Sequence, residues 1–384
     1  MILADAKRGR AAVAFRLPTR PDGGGDTNKY HSSSTRSRQE RNRKRRFAGW
    51  APVRSRASSL GEGSLPLPAA FAGRLRVPVI AAPMFLISGP DLVVSCCRNG
   101  VVGSFPALNQ RTTAGFADWL DEIAGRLDGE RDAAPFGVNL VVHRSNPRLD
   151  ADLAVVVERK VPLVITSLGL NRDLIRAVQG YGGLVFHDVT TLAFAAKAAE
   201  AGVDGLIAVS AGAGGHAGPL NPFAALADIR HIFDGTLVLG GALSNGAQVA
   251  AAMMAGADMA YLGTRFMATQ ESLAPEALRG MLLGASAADI VYTPAISGVH
   301  GNFLKPSIVA AGRDPDDLSK PASYDFGTAE AKAWRDIWAA GQGVGAIRDL
   351  PDAGELCRRL ADEYEAALAG ASRLSCQAAV AAVG

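Results

Sequence analysis

Eight short apolar runs, each followed by a stretch with helical signals, repeat through residues 77–263. This alternation limits the fold more than any other feature of the chain. The runs are 77–82, 100–105, 136–142, 163–167, 183–188, 206–210, 236–240 and 259–263. They are nearly continuous in apolar character, as parallel strands covered on both faces are. Helical signals occupy 92–98, 116–127, 149–159, 173–179, 191–201, 223–232 and 246–255. Pro90 and Asp91 are start signals, and Gly202 and Gly256 are stop signals. Phe116, Leu120, Ile123 and Leu127 share one helical face. Alternating units of this number and size predict a (β/α)8 TIM barrel. The competing architecture is a doubly wound sheet, which commonly carries a Gly-x-Gly-x-x-Gly turn after its first strand. Here the first strand ends in Pro83-Met84 and the glycine-rich turns come late, which favours the barrel.

The predicted barrel domain spans residues 75–384, with an irregular C-terminal excursion over 289–325 rich in Pro, Gly and Asp. A structureless stretch of that length in a compact domain is usually functional or flexible. Residues 355–368 read as an amphipathic helix, and Trp334 and Trp338 as aromatics that pack a helix. Of 384 residues, 48% are apolar and 20% charged, which suits a globular chain with a sizeable core. No apolar run is long enough to span a bilayer, so no membrane partner is expected.

The net charge of +3 hides a division. Residues 1–60 hold fifteen Lys/Arg and four Asp/Glu, whereas the rest holds 25 basic and 33 acidic residues. The folded part is therefore acidic, and no nucleic-acid binding is expected of it. Residues 1–74 read as a basic, disordered leader, because a Gly/Ser/Arg-rich segment buries too little surface to offset its ordering entropy. An organelle-targeting peptide, a nucleic-acid-binding arm and a start codon assigned too early are the alternatives to plain disorder. Cys96, Cys97, Cys357 and Cys376 match no metal-ligand spacing, so no metal is expected. Buried free thiols in a reducing compartment, the cytoplasm, are the corresponding reading.

In a barrel of this kind chemistry sits at the C-terminal ends of the strands. Those positions are Ala82, Pro83 and Met84; Asn139; Thr166 and Ser167; His187 and Asp188; the loop Gly212–Gly218 with His216; Gly240, Gly241 and Ala242; and Gly263 and Thr264. His216 is the proton-active ring of its glycine-rich loop. An incidental histidine in a turn is the bland alternative. The small residues after the seventh strand, with Gly263 and Thr264 after the eighth, are placed where such barrels commonly hold a phosphate. That phosphate could belong to a substrate or to a flavin.

At these residues the sequence resembles the nitronate monooxygenase family, FMN-dependent barrels once called 2-nitropropane dioxygenases. The matching pieces are Ala82-Pro-Met84, Gly137-Val-Asn-Leu140, Ala213-Gly-Gly-His216, Gly241-Ala-Leu-Ser-Asn-Gly246 and Leu262-Gly-Thr-Arg-Phe266 followed by Glu271. Ser104-Phe-Pro-Ala-Leu-Asn109 and His300-Gly-Asn-Phe-Leu-Lys-Pro306 look like one bacterial subgroup. The resemblance implies FMN, with its phosphate near Gly241, Gly263 and Thr264, and Asn139 with Gly214 or Gly215 along the cofactor. Ala82, Pro83, Met84, Thr166, Gly240 and Ala242 complete the expected cofactor contacts. His216 matches the family's catalytic base, with a nitronate or nitroalkane and O2 as the reacting partners. Two positions depart from the pattern: Val209 stands where many members carry a flavin-contacting Gln, and Ala242 where many carry a second glycine.

His300 and Lys305 are candidate substrate residues, a cationic Lys305 suiting an anionic nitronate; a solvated loop is the other reading. His143 and His187 are secondary candidates, whereas His31 and His231 look incidental. Other functions stay open. Enoyl and quinone reductases that take hydride from NAD(P)H share this barrel, and a flavin-binding protein without turnover is a remote third. The natural substrate and the oligomeric state are left open, a homodimer being compatible with the sequence.

Overall fold

The computed structural model describes residues 67–318, 337–371 and 373. The expected leader up to residue 66, His31, Trp334 and Cys376 lie outside the described residues. The strands are β1 (Val79–Ala81), β2 (Val102–Pro106), β3 (Gly137–Val141), β4 (Leu163–Ser167), β5 (Leu184–Val189), β6 (Gly205–Val209), β7 (Gly215–His216), β8 (Thr236–Gly240), β9 (Met259–Leu262), β10 (Ile290–Thr293) and β11 (Gly301–Leu304). Eight of them close a parallel barrel in the order β1-β2-β3-β4-β5-β6-β8-β9, with β1 also paired to β9.

The apolar runs are continuous because both faces of each strand are buried. Ile80, Val102, Ile165, Phe186, Ile207, Val238 and Met259 fill the barrel interior. Val138, Val164, Val185, Leu206 and Leu237 belong to the layer between the strands and the surrounding helices. Phe71 joins the interior cluster, edge-on to Phe186 with ring centroids 6.1 Å apart. Its partners there include Leu163, Leu184 and Met259, all first residues of strands, so Phe71 closes the end of the barrel opposite the strand termini. Residues 67–74, read as leader, thus contribute a buried plug. A single aromatic flanked by Gly, Ala and Arg carries no periodicity to announce it.

Side-chain caps set where several helices begin. Thr112, Asn171, Thr191 and Asn221 each accept from a backbone N–H of the following turn. Asn245 and Gln248 form a reciprocal capping box. Each cap stabilises its helix by about 1 kcal/mol. The helix Ala353–Ala371 packs on the helices Gly246–Met254 and Pro90–Arg98. Gly246 permits the first contact, since a Cβ there would lie 2.2 Å from the Leu360 carbonyl oxygen. Its N–H donates to Glu363 Oε2 at 2.7 Å.

The excursion after residue 289 is less irregular than its composition suggests. β10 and β11 form an antiparallel hairpin, and β11 adds β7 as a third strand, pairing Gly301 with His216 and Asn302 with Gly215. The hairpin fastens the glycine-rich loop over the barrel mouth. Among the described residues no helix is long and apolar enough to cross a membrane.

Candidate active site

A cavity of about 1120 Å³ opens at the C-terminal ends of the barrel strands. Ala82, Pro83, Met84, Asn139, Gly214, Gly215, His216, Gly240, Gly241, Ala242, Gly263, Thr264 and His300 all line it. Two expected residues stand off its wall. Thr166 is buried beneath it, with Oγ1 2.7 Å from His187 Nδ1, and it is His187 that reaches the cavity. Lys305 opens the helix Lys305–Ala310 and is absent from the lining. Trp338, expected to pack a helix, both packs on the core and lines the cavity. His143 lies in a neighbouring pocket, and His231 is exposed with Nδ1 2.6 Å from the Ala227 carbonyl oxygen.

Three glycine segments meet on one side. Gly241 has φ 147 and Gly212 φ 85, conformations glycine supplies at little cost. A Cβ on Gly241 would lie 2.3 Å from Ser210 Oγ, and one on Gly214 2.9 Å from the Gly341 nitrogen. Ala242, where many family members carry glycine, adopts φ 57, the left-handed region that glycine favours. The third segment, Gly341-Gln-Gly343, was not singled out from sequence. Gly341 N–H donates to Thr264 Oγ1 at 2.8 Å, Gln342 N–H to Gly212 O at 2.8 Å, and Ser244 Oγ to Gly343 O at 2.8 Å. Thr264 therefore accepts from the loop and keeps its own hydroxyl proton available. The doublet of glycines was the available signal, but it lies far beyond the eighth strand, where no barrel rule points to it.

His216 sits on β7, held by β11 and by Asn302, whose Nδ2 donates to Ala213 O at 2.7 Å. Its Nε2 is 3.1 Å from Ser297 Oγ, and Ser297 Oγ donates to Val299 O at 3.1 Å. With its one proton given to Val299, Ser297 is left to accept from the imidazole. The neutral ring then carries hydrogen on Nε2 and its lone pair on Nδ1. Burial lowers the His216 pKa to about 4, so the ring is neutral at ordinary pH. Desolvation likewise lowers His187 to about 4. The ring of His300 lies 5.1 Å from that of Tyr292, whose hydroxyl donates to Ala217 O at 3.0 Å.

Among the described residues the wall carries three cations, Arg111, Arg148 and Lys197, against one carboxyl, Asp188. Arg148 is partly spent on Asp152 at 2.9 Å. The surplus of positive charge suits an anionic ligand. The outer mouth is apolar and partly exposed at Phe85, Leu168, Leu170 and Phe194. Leu170 and Lys197 also line a second, polar pocket of about 700 Å³.

A closed parallel barrel with a glycine-walled cavity at its strand termini, lined by a half-buried neutral imidazole, defines a (β/α)8 enzyme. A family model described as nitronate monooxygenase matches residues 143–363. A nitronate monooxygenase of Paraburkholderia phytofirmans is 30% identical, over 75% of this chain and 92% of its own. A hydroxy-methyl-oxo-octahydro-indene-carboxyl-CoA dehydrogenase of Rhodococcus jostii is 26% identical, over 60% of this chain and 64% of its own. The crystal structure of a nitroalkane oxidase from Streptomyces ansochromogenes superposes with a TM-score of 0.69 and 27% identity, covering 79% of this chain and 99% of that one. The chain belongs to the nitronate monooxygenase family and is an oxidoreductase of the monooxygenase type.

Proposed function

We propose that the protein is an FMN-dependent nitronate monooxygenase, oxidising alkyl nitronates and nitroalkanes with O2 to carbonyl compounds and nitrite. The observation that carries this reading is His216, a half-buried imidazole held neutral and bonded to Ser297 at the edge of the glycine-walled cavity. The residues fit a flavin. Gly240, Gly241, Ala242, Gly263 and Thr264 would hold the phosphate, joined by Gly341 through its bond to Thr264. Ala82, Pro83, Met84, Asn139, Gly214 and Gly215 would hold the ring. Asn139 is fixed for this by donating to Ile165 O and Ser167 Oγ, each at 3.1 Å. Thr166 would act only through His187.

Bound FMN supplies the redox chemistry, taking electrons from the substrate and passing them to oxygen. The protein's part is the proton. A neutral nitroalkane has an acidic C–H, and His216 Nδ1 accepts that proton. The imidazolium is costly to bury alone, but the nitronate forms beside it with opposite charge and offsets that cost. His300 at the mouth and the cationic wall favour the anion.

One observation favours a second reading. The cavity exceeds the roughly 300–1,000 Å³ of a one-ligand site, and its mouth continues over Leu168, Leu170 and Phe194 toward the second pocket. A larger substrate, reduced with hydride from NAD(P)H, would use that surface. Anaerobic mixing of the flavin-loaded protein with a nitronate and, separately, with NADPH separates the two. Bleaching of the flavin by nitronate and not by NADPH is expected; the reverse would overturn the nitronate reading.

A further inference from the structure

Among the described residues Asp188 is the one carboxyl that lines the cavity. Leu184 and Phe186, four and two positions before it on β5, belong to the barrel interior, so alternation places Asp188 on the same inward face. It follows Phe186 at the strand's C-terminal end and therefore stands on the cavity floor. Its Oδ1 is buried without a hydrogen-bond partner. Orphaned buried carboxyl oxygens are rare, and each calls for an occupant that completes it.

Among the described residues no Lys or Arg forms an ion pair with this carboxyl. Burial alone pushes its pKa up, to about 7. The groups around it are neutral at ordinary pH. Tyr261 on β9 is raised well above its usual value, first by burial and then by the Asp188 charge. His187 beside it and His216 across the cavity are held down to about 4 by burial. On the flanking strands, β4 presents Ser167 and β6 presents Val209 to the cavity. Of the wall's cations, Arg148 is committed to Asp152, and neither Arg111 nor Lys197 forms an ion pair with Asp188.

We propose that Asp188 is a positioning residue for the flavin, meeting the ring from the cavity floor through its carboxyl. This rests on the flavin reading given above. As a neutral acid Asp188 is a hydrogen-bond donor, and a flavin ring offers several nitrogen and oxygen acceptors. As a carboxylate it is an acceptor only and loses its bond to those nitrogen and oxygen atoms; the ring's single donor, N3–H, would instead make affinity rise with pH, the opposite of the outcome expected here. FMN binding therefore favours the protonated form and weakens when the proton leaves.

The test is FMN titration of the full-length apoprotein by flavin fluorescence between pH 5.5 and 9, for the wild type and for Asp188→Asn. Asn keeps a donor at every pH. The FMN phosphate titrates in the same range, but identically for both proteins, so the ratio of their Kd values isolates position 188. The expected ratio of wild type to variant is near one at pH 5.5 and rises roughly tenfold by pH 9, the cost of one unmade buried hydrogen bond. A ratio that stays constant across the range overturns the proposal. A second measurement, the visible spectrum of FMN bound to the wild type, is expected to shift across neutral pH, and an invariant spectrum speaks against Asp188 at the ring even if the Asn variant fails to fold. Failure of the wild type to take up FMN at any pH overturns the flavin reading itself, and this inference with it.

Discussion

His216 and Ser297 lie 81 positions apart in sequence, and their Nε2 and Oγ atoms lie 3.1 Å apart. The contact exists because β11 pairs with β7 and carries the residue 294–300 turn over the barrel mouth. One bond thereby links the glycine-rich loop to the C-terminal excursion. His216→Ala is expected to retain FMN and to lose most activity on neutral nitroalkanes, while oxidising preformed nitronates. Steady-state oxygen uptake on both substrate forms checks this. Full activity on the neutral form would remove His216 from the role of base.

Ser297→Ala tests the tether separately. Without the hydroxyl the ring loses its tautomer preference, worth about 1 kcal/mol for a neutral hydrogen bond. Turnover of neutral nitroalkanes should fall roughly fivefold, with nitronate turnover unchanged. An equal loss on both would mean that Ser297 supports the fold of the loop and nothing more specific.

The pH dependence follows from burial. The His216 pKa is depressed from 6.5 to about 4, so the base form persists well into the acid range. The stability this neutral ring contributes is present above 6.5 and is lost as pH falls through about 4. The acid limb of kcat/KM for a neutral nitroalkane should therefore fall near pH 4. A limb at 6.5 would show that the ring is solvated when the enzyme works.

Much of this site was legible in the strand ends. Asn139, Gly240 and Gly263 are cavity residues because a parallel strand must stop where the barrel opens, and the apolar runs mark those stops. The hairpin was not legible. β10 and β11 have four residues each, separated by Gly and Pro, and β11 pairs with a two-residue strand far away in the chain. No local period records such a pairing. The same holds for Gly341 on Thr264 and for Tyr261 beside Asp188, both made by closure of the chain. Asp188 itself was visible as a strand end; its buried, unpartnered oxygen was not.

Ala242 makes a prediction about stability. Its φ of 57 is a left-handed conformation that costs an L-residue about 1–2 kcal/mol. Glycine would relieve that cost while adding about 0.5–1 kcal/mol of unfolded-chain entropy. Ala242→Gly should therefore stabilise the apoprotein by about 0.5–1 kcal/mol, read as a raised urea midpoint with unchanged slope. A lowered midpoint would show that the Ala242 methyl contributes packing that outweighs the backbone strain.

Phe71 tests whether the two ends of the barrel are independent. It is 1% exposed and contacts the barrel interior from the end away from the cavity. Removing a buried phenyl ring costs about 3–5 kcal/mol, through lost transfer energy and the void left behind. Phe71→Ala should lower the unfolding free energy by that amount, read as a lower urea midpoint. The layer of Ile80, Ile165, Phe186 and Ile207 separates it from the glycine cradle, so the FMN Kd measured below the unfolding transition should stay within about twofold, the limit expected for distant independent sites. A large loss of FMN affinity with little loss of stability would mean that the barrel interior transmits the shape of its plug to the cavity floor.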